Sequence, residues 1–499
     1  MGRDVYGMAT SGQDRQRYRD KLQRCLDAMA RMLREDTFSF ERQHIGLEIE
    51  LDLVDDRMAP AMANGVVLEK IDDPAFKKEL GQHNLELNVP PRPLAGDEAL
   101  ELEVEIRRSI DDADVKAGDA GAALVLIGTL PTLRESHFER RWISQDTRYL
   151  VLNERLLAAR GEDLHLDMEG VPMPGARAER LQTFVGTILP EAACTSVQLH
   201  LQVRPEEFAA HWNAAQALAG VQVALAANAP FLLGRALWHE TRIPLFQQAT
   251  DTRSVELRNQ GLRPRVWFGE RWITSIFDLF EENQRYFPAL LPETAAEDPI
   301  AELDAGRTPA LRELQVHNGT VWRWNRPVYD VLDGVPHLRV ENRVLPAGPT
   351  VLDMMANAAF FYGAMRALTE QDRPVWSQMS FQAAEENLYK GARHGMDAQL
   401  YWPGTGWVRP DELALRLLLP LAHEGLRGAG VSDAARERFL GVLERRCVAR
   451  RTGSVWQRET VAALEARGLD RHAALRGMLH RYREFMCSGI PVHEWPSVT

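Results

Sequence analysis

Residues 46–51 read G-L-E-I-E-L and run on as D-L-V. In an extended strand, residues i and i+2 point to the same face. Glu48 and Glu50 would therefore stand side by side, with Leu47, Ile49 and Leu51 on the opposite face. Two readings fit such a strand. It can be a half-solvated antiparallel strand whose wet face is acidic, or one wall of a site that holds a cation.

Three further stretches share the pattern. Residues 83–89 place Glu86 between Leu85 and Leu87, and Pro90-Pro91 are expected to stop that strand. Residues 196–203 set Gln198, His200 and Gln202 against Val197, Leu199, Leu201 and Val203. Residues 337–345 set Arg339, Glu341 and Arg343 against Leu338, Val340 and Val344. Lysine is absent from all four polar faces. If they converge, they line a concave sheet with carboxylates, one imidazole and guanidinium groups. Carboxylates with open or water positions suit Mg²⁺ or Mn²⁺. Arginines beside them suit polyphosphate oxygens, which a planar fork binds bidentately. Together they describe phosphoryl transfer. Each residue also has a plainer reading: a wet strand position for Glu86, a core histidine for His200, a cross-strand ion-pair ladder for R-V-E-N-R.

The order of elements sets the fold class. An amphipathic helix is expected over 13–35, with Tyr18, Leu22, Leu26, Met29 and Leu33 at helical spacing. Further helices are expected at 97–115 behind Asp97, at 206–228, at 270–286 and at 350–368, with a short strand at 122–127. W-R-W-N-R-P at 322–327 reads as a loop or strand end. The last 120 or so residues read as mostly helical, with Gly453, Gly468 and Gly489 as stops. Strands and helices mix without a regular alternation, which predicts an α+β fold with a curved, largely antiparallel sheet flanked by helices. Three regions are expected: an N-terminal helical extension over 1–42, a catalytic domain over 43–370, and a helical C-terminal region over 371–499 packed on it.

Composition removes several function classes. A net charge of −12 and a pI near 5.7 disfavour broad binding to nucleic acid or to an anionic membrane. Cys25, Cys194, Cys447 and Cys487 lie far apart and form no C-x-x-C pair. No apolar h-region opens the chain, and no run approaches the roughly 20 apolar residues of a membrane span. A cytoplasmic protein is expected. There is no G-x-x-x-x-G-K-[ST] and no G-x-G-x-x-G after a strand, so a nucleotide would have to bind through metals and arginines on a sheet.

The ordered set G-L-E-I-E-L, N-L-E-L-N, Q-L-H-L-Q and R-V-E-N-R resembles the glutamine synthetase-like superfamily. It most resembles the glutamate–cysteine ligase type 2 family of carboxylate–amine ligases. Arg148-Tyr149 in D-T-R-Y-L matches the family's R-Y pair, and Trp324-Asn325-Arg326-Pro327 its tryptophan-to-R-P loop. The resemblance covers roughly residues 43–370. It implies a glutamine synthetase-like catalytic domain in which ATP, as co-substrate, phosphorylates a carboxylate and an amine then displaces phosphate. It assigns Glu50 and Glu86 to one metal ion, and Glu48, His200 and Glu341 to a second. Arg339, Arg343 and Arg326 would hold phosphate, and Arg148 and Tyr149 the amino-acid substrate. Glutamate and cysteine are the expected pair; another acid and amine, or a non-catalytic binding protein on the same scaffold, are the alternatives. Partners are then small molecules, with a homo-oligomer left open. Two positions depart from the family pattern. Gln198 stands where shorter members carry the first histidine of H-x-H, and Gly128-Thr129-Leu130-Pro131 where they carry G-T-H-P. Both lie around the substrate.

Overall fold

A computed structural model describes residues 12–38, 40, 43–173 and 175–497. Seven strands form one sheet: β1 (His44–Val54), β2 (Phe76–Lys78), β3 (Asn84–Pro93), β4 (Ala123–Val125), β5 (Val197–Gln202), β6 (Asn325–Leu332) and β7 (Val335–Asn342). Their order is β6-β7-β5-β1-β3-β2, with β4 also on β1, and every pairing is antiparallel. The sheet curls into a half-barrel inside a protein that is half helix, as the α+β reading expects.

Alternation does what the sequence implies. Leu47, Ile49, Leu51, Leu85, Leu87, Val197, Leu199, Leu201, Leu338 and Val340 are all buried on one face. Each side chain taken wholly from water contributes about 1.5–3 kcal/mol. Two helices back that face, Phe208–Ala226 and Val351–Thr369. Both are buried nearly all round, which marks them as central rather than surface helices. Polar pins fix them to the strands. Trp212 Nε1 donates to the Asn325 carbonyl (2.8 Å), and Tyr362 Oη donates to the His200 carbonyl (3.2 Å).

The chain after 370 wraps these central helices. Two glycine crossings allow the close approach. A Cβ on Gly391 would collide with the Gly220 carbonyl, and one on Gly425 with the Gly363 carbonyl. Arg446, on the helix Asp433–Ala449, reaches inward to Asp353 (2.8 Å) and to Asn357 (2.6 Å). One continuous hydrophobic cluster runs from Tyr18 to Trp495. No helix among the described residues is long and apolar enough to cross a membrane.

Several boundaries differ from expectation. Of the extension over 1–42, residues 1–11, 39, 41 and 42 lie outside the described residues; its helix is Gly12–Glu35. Pro90 and Pro91 do not stop β3. They fall where its register against β1 shifts between Ile45 and Leu47, a bulge that needs no N–H there. Asp97 precedes the helix Glu98–Gly118 without a side-chain cap bond. The helix expected from 270 begins at Ile276, behind a Ser275–Asp278 capping box. The strand expected to 345 ends at Asn342, so Arg343 lies just beyond β7. Gly453 opens a helix, capped by Thr452, instead of ending one, while Gly468 and Gly489 do end helices at positive φ. A hairpin, Leu164–Glu169 with Arg180–Val185, was not anticipated.

The Arg446–Asp353 pair tests whether the C-terminal region is part of the same folding unit. Both side chains are at most 2% exposed. Removing one partner strands the other's charge, which costs about 3–5 kcal/mol. Arg446→Ala should lower the urea midpoint in one transition, seen alike by tryptophan fluorescence and circular dichroism. A separate early transition for the C-terminal helices would show an independent domain.

Candidate functional site

Register brings the predicted polar faces together. Glu50 lies opposite Glu86 across β1 and β3, and Glu48 lies opposite Gln198 on β5. His200 lies opposite Glu341, which lies opposite Arg326. Directly opposed residues share a face, so one polar patch runs across five strands. The helix Thr147–Arg160 adds Arg148 and Tyr149 in its first turn. Asp146 caps that helix by accepting from the Arg148 amide (2.8 Å), which fixes where the pair enters the site.

Two cavities open on this patch. The larger, about 470 Å³, is lined by Glu48, Glu50, Glu79, Glu86 and Glu191, with Arg148, Tyr149, Arg326 and Arg343. The smaller, about 140 Å³, is lined by Arg148, Arg312, Arg326 and Arg339, with Glu48, His200, Asp330 and Glu341 and a wall that includes Phe280, Leu291 and Tyr329. Asp146, Lys77 and Lys78 also line the larger, so both chambers carry both signs; the larger gathers the five glutamates and is the acidic chamber, and the smaller, with its four arginines, is the basic one. All ten side chains singled out in the sequence line one or both of them.

The hydrogen bonds show what holds each group. Glu341 is 1% exposed, and both its oxygens are taken. Oε1 accepts from Arg343 Nη1 (2.6 Å), and Oε2 accepts from Arg326 Nε and Nη2 (3.1 and 2.8 Å). Glu50 Oε2 accepts from the Ser196 amide (2.6 Å) and hydroxyl (3.0 Å). Gln198 donates to Glu50 Oε1 (2.9 Å) and accepts from Arg343 Nη1 (2.5 Å). This explains the first departure from the family pattern: an amide sets a donor and an acceptor side by side and bridges carboxylate to guanidinium. The second departure leaves the site altogether, because Leu130 is wholly buried and lines neither cavity. His200 Nε2 lies 3.3 Å from Glu48 Oε1, and neither ring nitrogen makes a hydrogen bond. Arg339 meets His337 Nε2 (2.7 Å) and lies 3.6 Å from Asp330. Tyr149 Oη donates to the Lys78 carbonyl (3.1 Å), and the Arg148 guanidinium lies 6.0 Å from the Tyr149 ring centre.

Charge is distributed unevenly over these groups. Burial would raise Glu341, but Arg326 and Arg343 outweigh it and hold the carboxyl down at about 2. Burial and then Glu48 push Glu86 up to about 7. Burial and Glu50 push Glu191 to about 7, against the pull of Arg343. Burial, with Glu86 and Glu50, drives Glu79 well above the carboxylate range. No Lys or Arg among the described residues stands within ion-pair distance of Glu50, Glu79, Glu86 or Glu191. These four carboxylates thus lack a direct ion-pair partner, although Lys77, Lys78, Arg148, Arg326 and Arg343 stand on the chamber's walls, and a bound cation would relieve the repulsion that remains. Among the described residues no three His, Cys, Asp or Glu side chains are already gathered as a metal cage. Water and phosphate oxygens would have to complete a shell here, as suits Mg²⁺. The donor set, hard carboxylate oxygens with one imidazole lacking a hydrogen bond, fits such an ion.

Glu79, Glu191 and Arg312 were not found by reading the sequence. Glu79 follows a three-residue edge strand, Glu191 sits in the loop before β5, and Arg312 opens a seven-residue helix. None lies in an alternation long enough to assign a face.

The sequence model of glutamate-cysteine ligase family 2 (GCS2) matches residues 44–480. No curated protein matches the chain significantly. The structure is similar to a glutamate–cysteine ligase of Francisella tularensis solved in complex with AMP: TM-score 0.52 and 13% identity, over 91% of this chain and 90% of that one. A bifunctional glutathione synthetase of Pasteurella multocida gives a TM-score of 0.48 and 11% identity, over 93% of this chain and 55% of that one. The ligase PafA, in complex with the ubiquitin-like protein Pup, gives 0.34 and 11%, over 86% and 70%.

The raised Glu86 fixes the sign of a pH effect. Its folded value near 7 lies above the ordinary value of about 4.3. Ionisation therefore costs stability; the cost is absent below about pH 4, grows between, and is complete above about 7. With divalent ions chelated, Glu86→Gln should be more stable than the parent by roughly 1–3 kcal/mol at pH 8 and level with it near pH 4.5. Thermal melts across that range check it. A constant difference at every pH would show that Glu86 is not strained by its neighbours.

Proposed function

Because the chain belongs to glutamate-cysteine ligase family 2 and so is an ATP-dependent carboxylate–amine ligase, we propose that it joins the γ-carboxylate of glutamate to the amine of cysteine in the cytoplasm. The observation that carries this reading is the pairing of an acidic chamber with a basic one across shared walls. A carboxylate attacking a triphosphate brings several negative charges together, and the site must offset them. The basic chamber takes the nucleotide. Arg339 and Arg326 face its phosphates, and Arg343 stands at the acidic side, where the acyl phosphate forms. Arg148 and Tyr149 lie at the substrate end and hold the amino acid. The amine then attacks the acyl carbon, and phosphate leaves with the bonding pair.

Two or more Mg²⁺ (or Mn²⁺) ions fit the carboxylates, Glu50 with Glu86 for one and Glu48 with His200 and Glu341 for another. When bound, they would neutralise phosphate charge and align the triphosphate. Glu341 Oε1 accepts a single hydrogen bond, from Arg343, and keeps a lone pair for such an ion, while Oε2 is held by the Arg326 fork; if the ion instead displaced an arginine, that guanidinium would turn to phosphate.

A second reading keeps the chemistry and changes the acid–amine pair. Gln198 favours it, since this departure lines the larger chamber, where substrate selection would be expected. Phosphate release with ATP and Mg²⁺ should require an acid and an amine together. Glu50→Ala should lower it by at least about a hundredfold. Glutamate with cysteine as the best pair supports the first reading, and another pair the second. No release with any pair, from a folded protein that binds ATP, would leave a non-catalytic binding protein.

A further inference from the structure

The two chambers meet at four residues, Glu48, Arg148, Arg326 and Gly319, which line both. Three are charged. The fourth has no side chain, and nothing in the fold requires that. Gly319 has φ −64° and ψ −12°, which any residue adopts. A Cβ there would meet only the carbonyl oxygens of Gln315 and Val316, each at 3.4 Å, and otherwise open space. Gly220, Gly363, Gly391 and Gly425 are glycine because a neighbour's backbone is too near. Gly319 is not explained that way.

Nor does the turn need glycine to flex, because it is held from both sides. The Gly319 amide donates to the Gln315 carbonyl (3.0 Å). Asn318 Nδ2 donates to the Pro327 carbonyl (2.7 Å), and Arg265 Nη1 donates to the Thr320 carbonyl (3.0 Å). A rigid glycine with an ordinary backbone, facing space, stands where two chambers join.

We infer that Gly319 keeps open a throat through which the terminal phosphoryl group of the nucleotide reaches the carboxylate in the acidic chamber. Arg148 and Arg326 flank the opening beside Glu48, so its three shared charged side chains leave a net positive charge for a phosphoryl group, with the Arg326 fork resting on Glu341. A side chain at 319 leaves the nucleotide its own chamber but displaces the γ-phosphate from its acceptor. A misplacement of about 1 Å can cost about a hundredfold in rate.

The inference rests on the ligase reading above, and the test separates the two. Gly319→Ala and Gly319→Val would be compared with the parent by three measurements: Mg²⁺-ADP binding by calorimetry, acid-dependent phosphate release, and hydroxamate formation with hydroxylamine in place of the amine. ADP affinity should change less than about threefold, while both rates fall roughly tenfold for alanine and a hundredfold or more for valine. Parent-like rates in Gly319→Val would overturn the throat. So would a loss of ADP affinity equal to the loss of rate, since Gly319 would then be only a wall of the nucleotide chamber. If valine disturbs folding, the alanine variant, whose Cβ the backbone accepts, decides by the same criteria. A parent with no turnover on any acid–amine pair defeats the ligase reading itself, and the throat falls with it.

Discussion

Confining like charges on one face of a sheet is costly, and the rest of the molecule is arranged around that cost. The clamp at Glu341 shows one solution. A carboxylate that is almost wholly buried accepts three hydrogen bonds from two arginines, and its charge is fully offset. Such charge-assisted bonds are strong and directional. They also fix Arg326 on β6 and Arg343 just beyond β7, and Gln198 sets Arg343 at a fixed distance from Glu50. Four of the five glutamates of the acidic chamber, Glu50, Glu79, Glu86 and Glu191, receive no such partner, and their raised proton affinity records the difference. One cluster is neutralised by the protein. The other is left to be neutralised by what binds.

Holding uncompensated charges together demands a stiff support. The sheet supplies it by antiparallel pairing at fixed register, and the two central helices supply it from behind. Their burial on all sides depends on the helices beyond residue 370, which explains a long C-terminal region that contributes nothing to either cavity lining. The polar pins from Trp212 and Tyr362 run from central helix to strand carbonyl, so any shift of the helices is felt in the strands that carry His200 and Arg326. The N-terminal helix braces the opposite wall. Tyr18 donates to the Glu313 carbonyl and Lys21 to the Glu297 carbonyl (2.9 Å), next to the short helix that carries Arg312.

What could be read from the sequence follows from periodicity. Strands that alternate for six residues or more declare their faces, so Glu48, Glu50, Glu86, His200, Arg339 and Glu341 were all legible, and register then had only to bring them together. Glu79, Glu191 and Arg312 were not, because a three-residue strand, a loop and a two-turn helix carry no period to read. Pro90-Pro91 misled for a related reason. Proline forbids a ladder hydrogen bond, but at a bulge that bond is already missing, and only the partner strand reveals the bulge. Gly453 misled because glycine ends helices by its freedom at positive φ, whereas here it starts one by its size, beneath Asn228 and Pro349. The sequence states that a residue is small; only the fold states what it is small for.

The polarity of the site follows from where these charges sit. Moving from the basic chamber to the acidic one, a bound anion would leave Arg312 and Arg339, with Asp330 and Glu341, for Glu50, Glu79, Glu86 and Glu191, with Arg343, Lys77 and Lys78, while Glu48, Arg148 and Arg326 are common to both. A polyanion would therefore be favoured on the arginine side and opposed by the clustered glutamates, which would set its terminal charge at the shared wall. Cations held by the glutamates would shift that balance point toward the acidic chamber, since they turn a repelling surface into an attracting one. Nucleotide and cation bound here would thus be coupled, each lowering the electrostatic cost of the other.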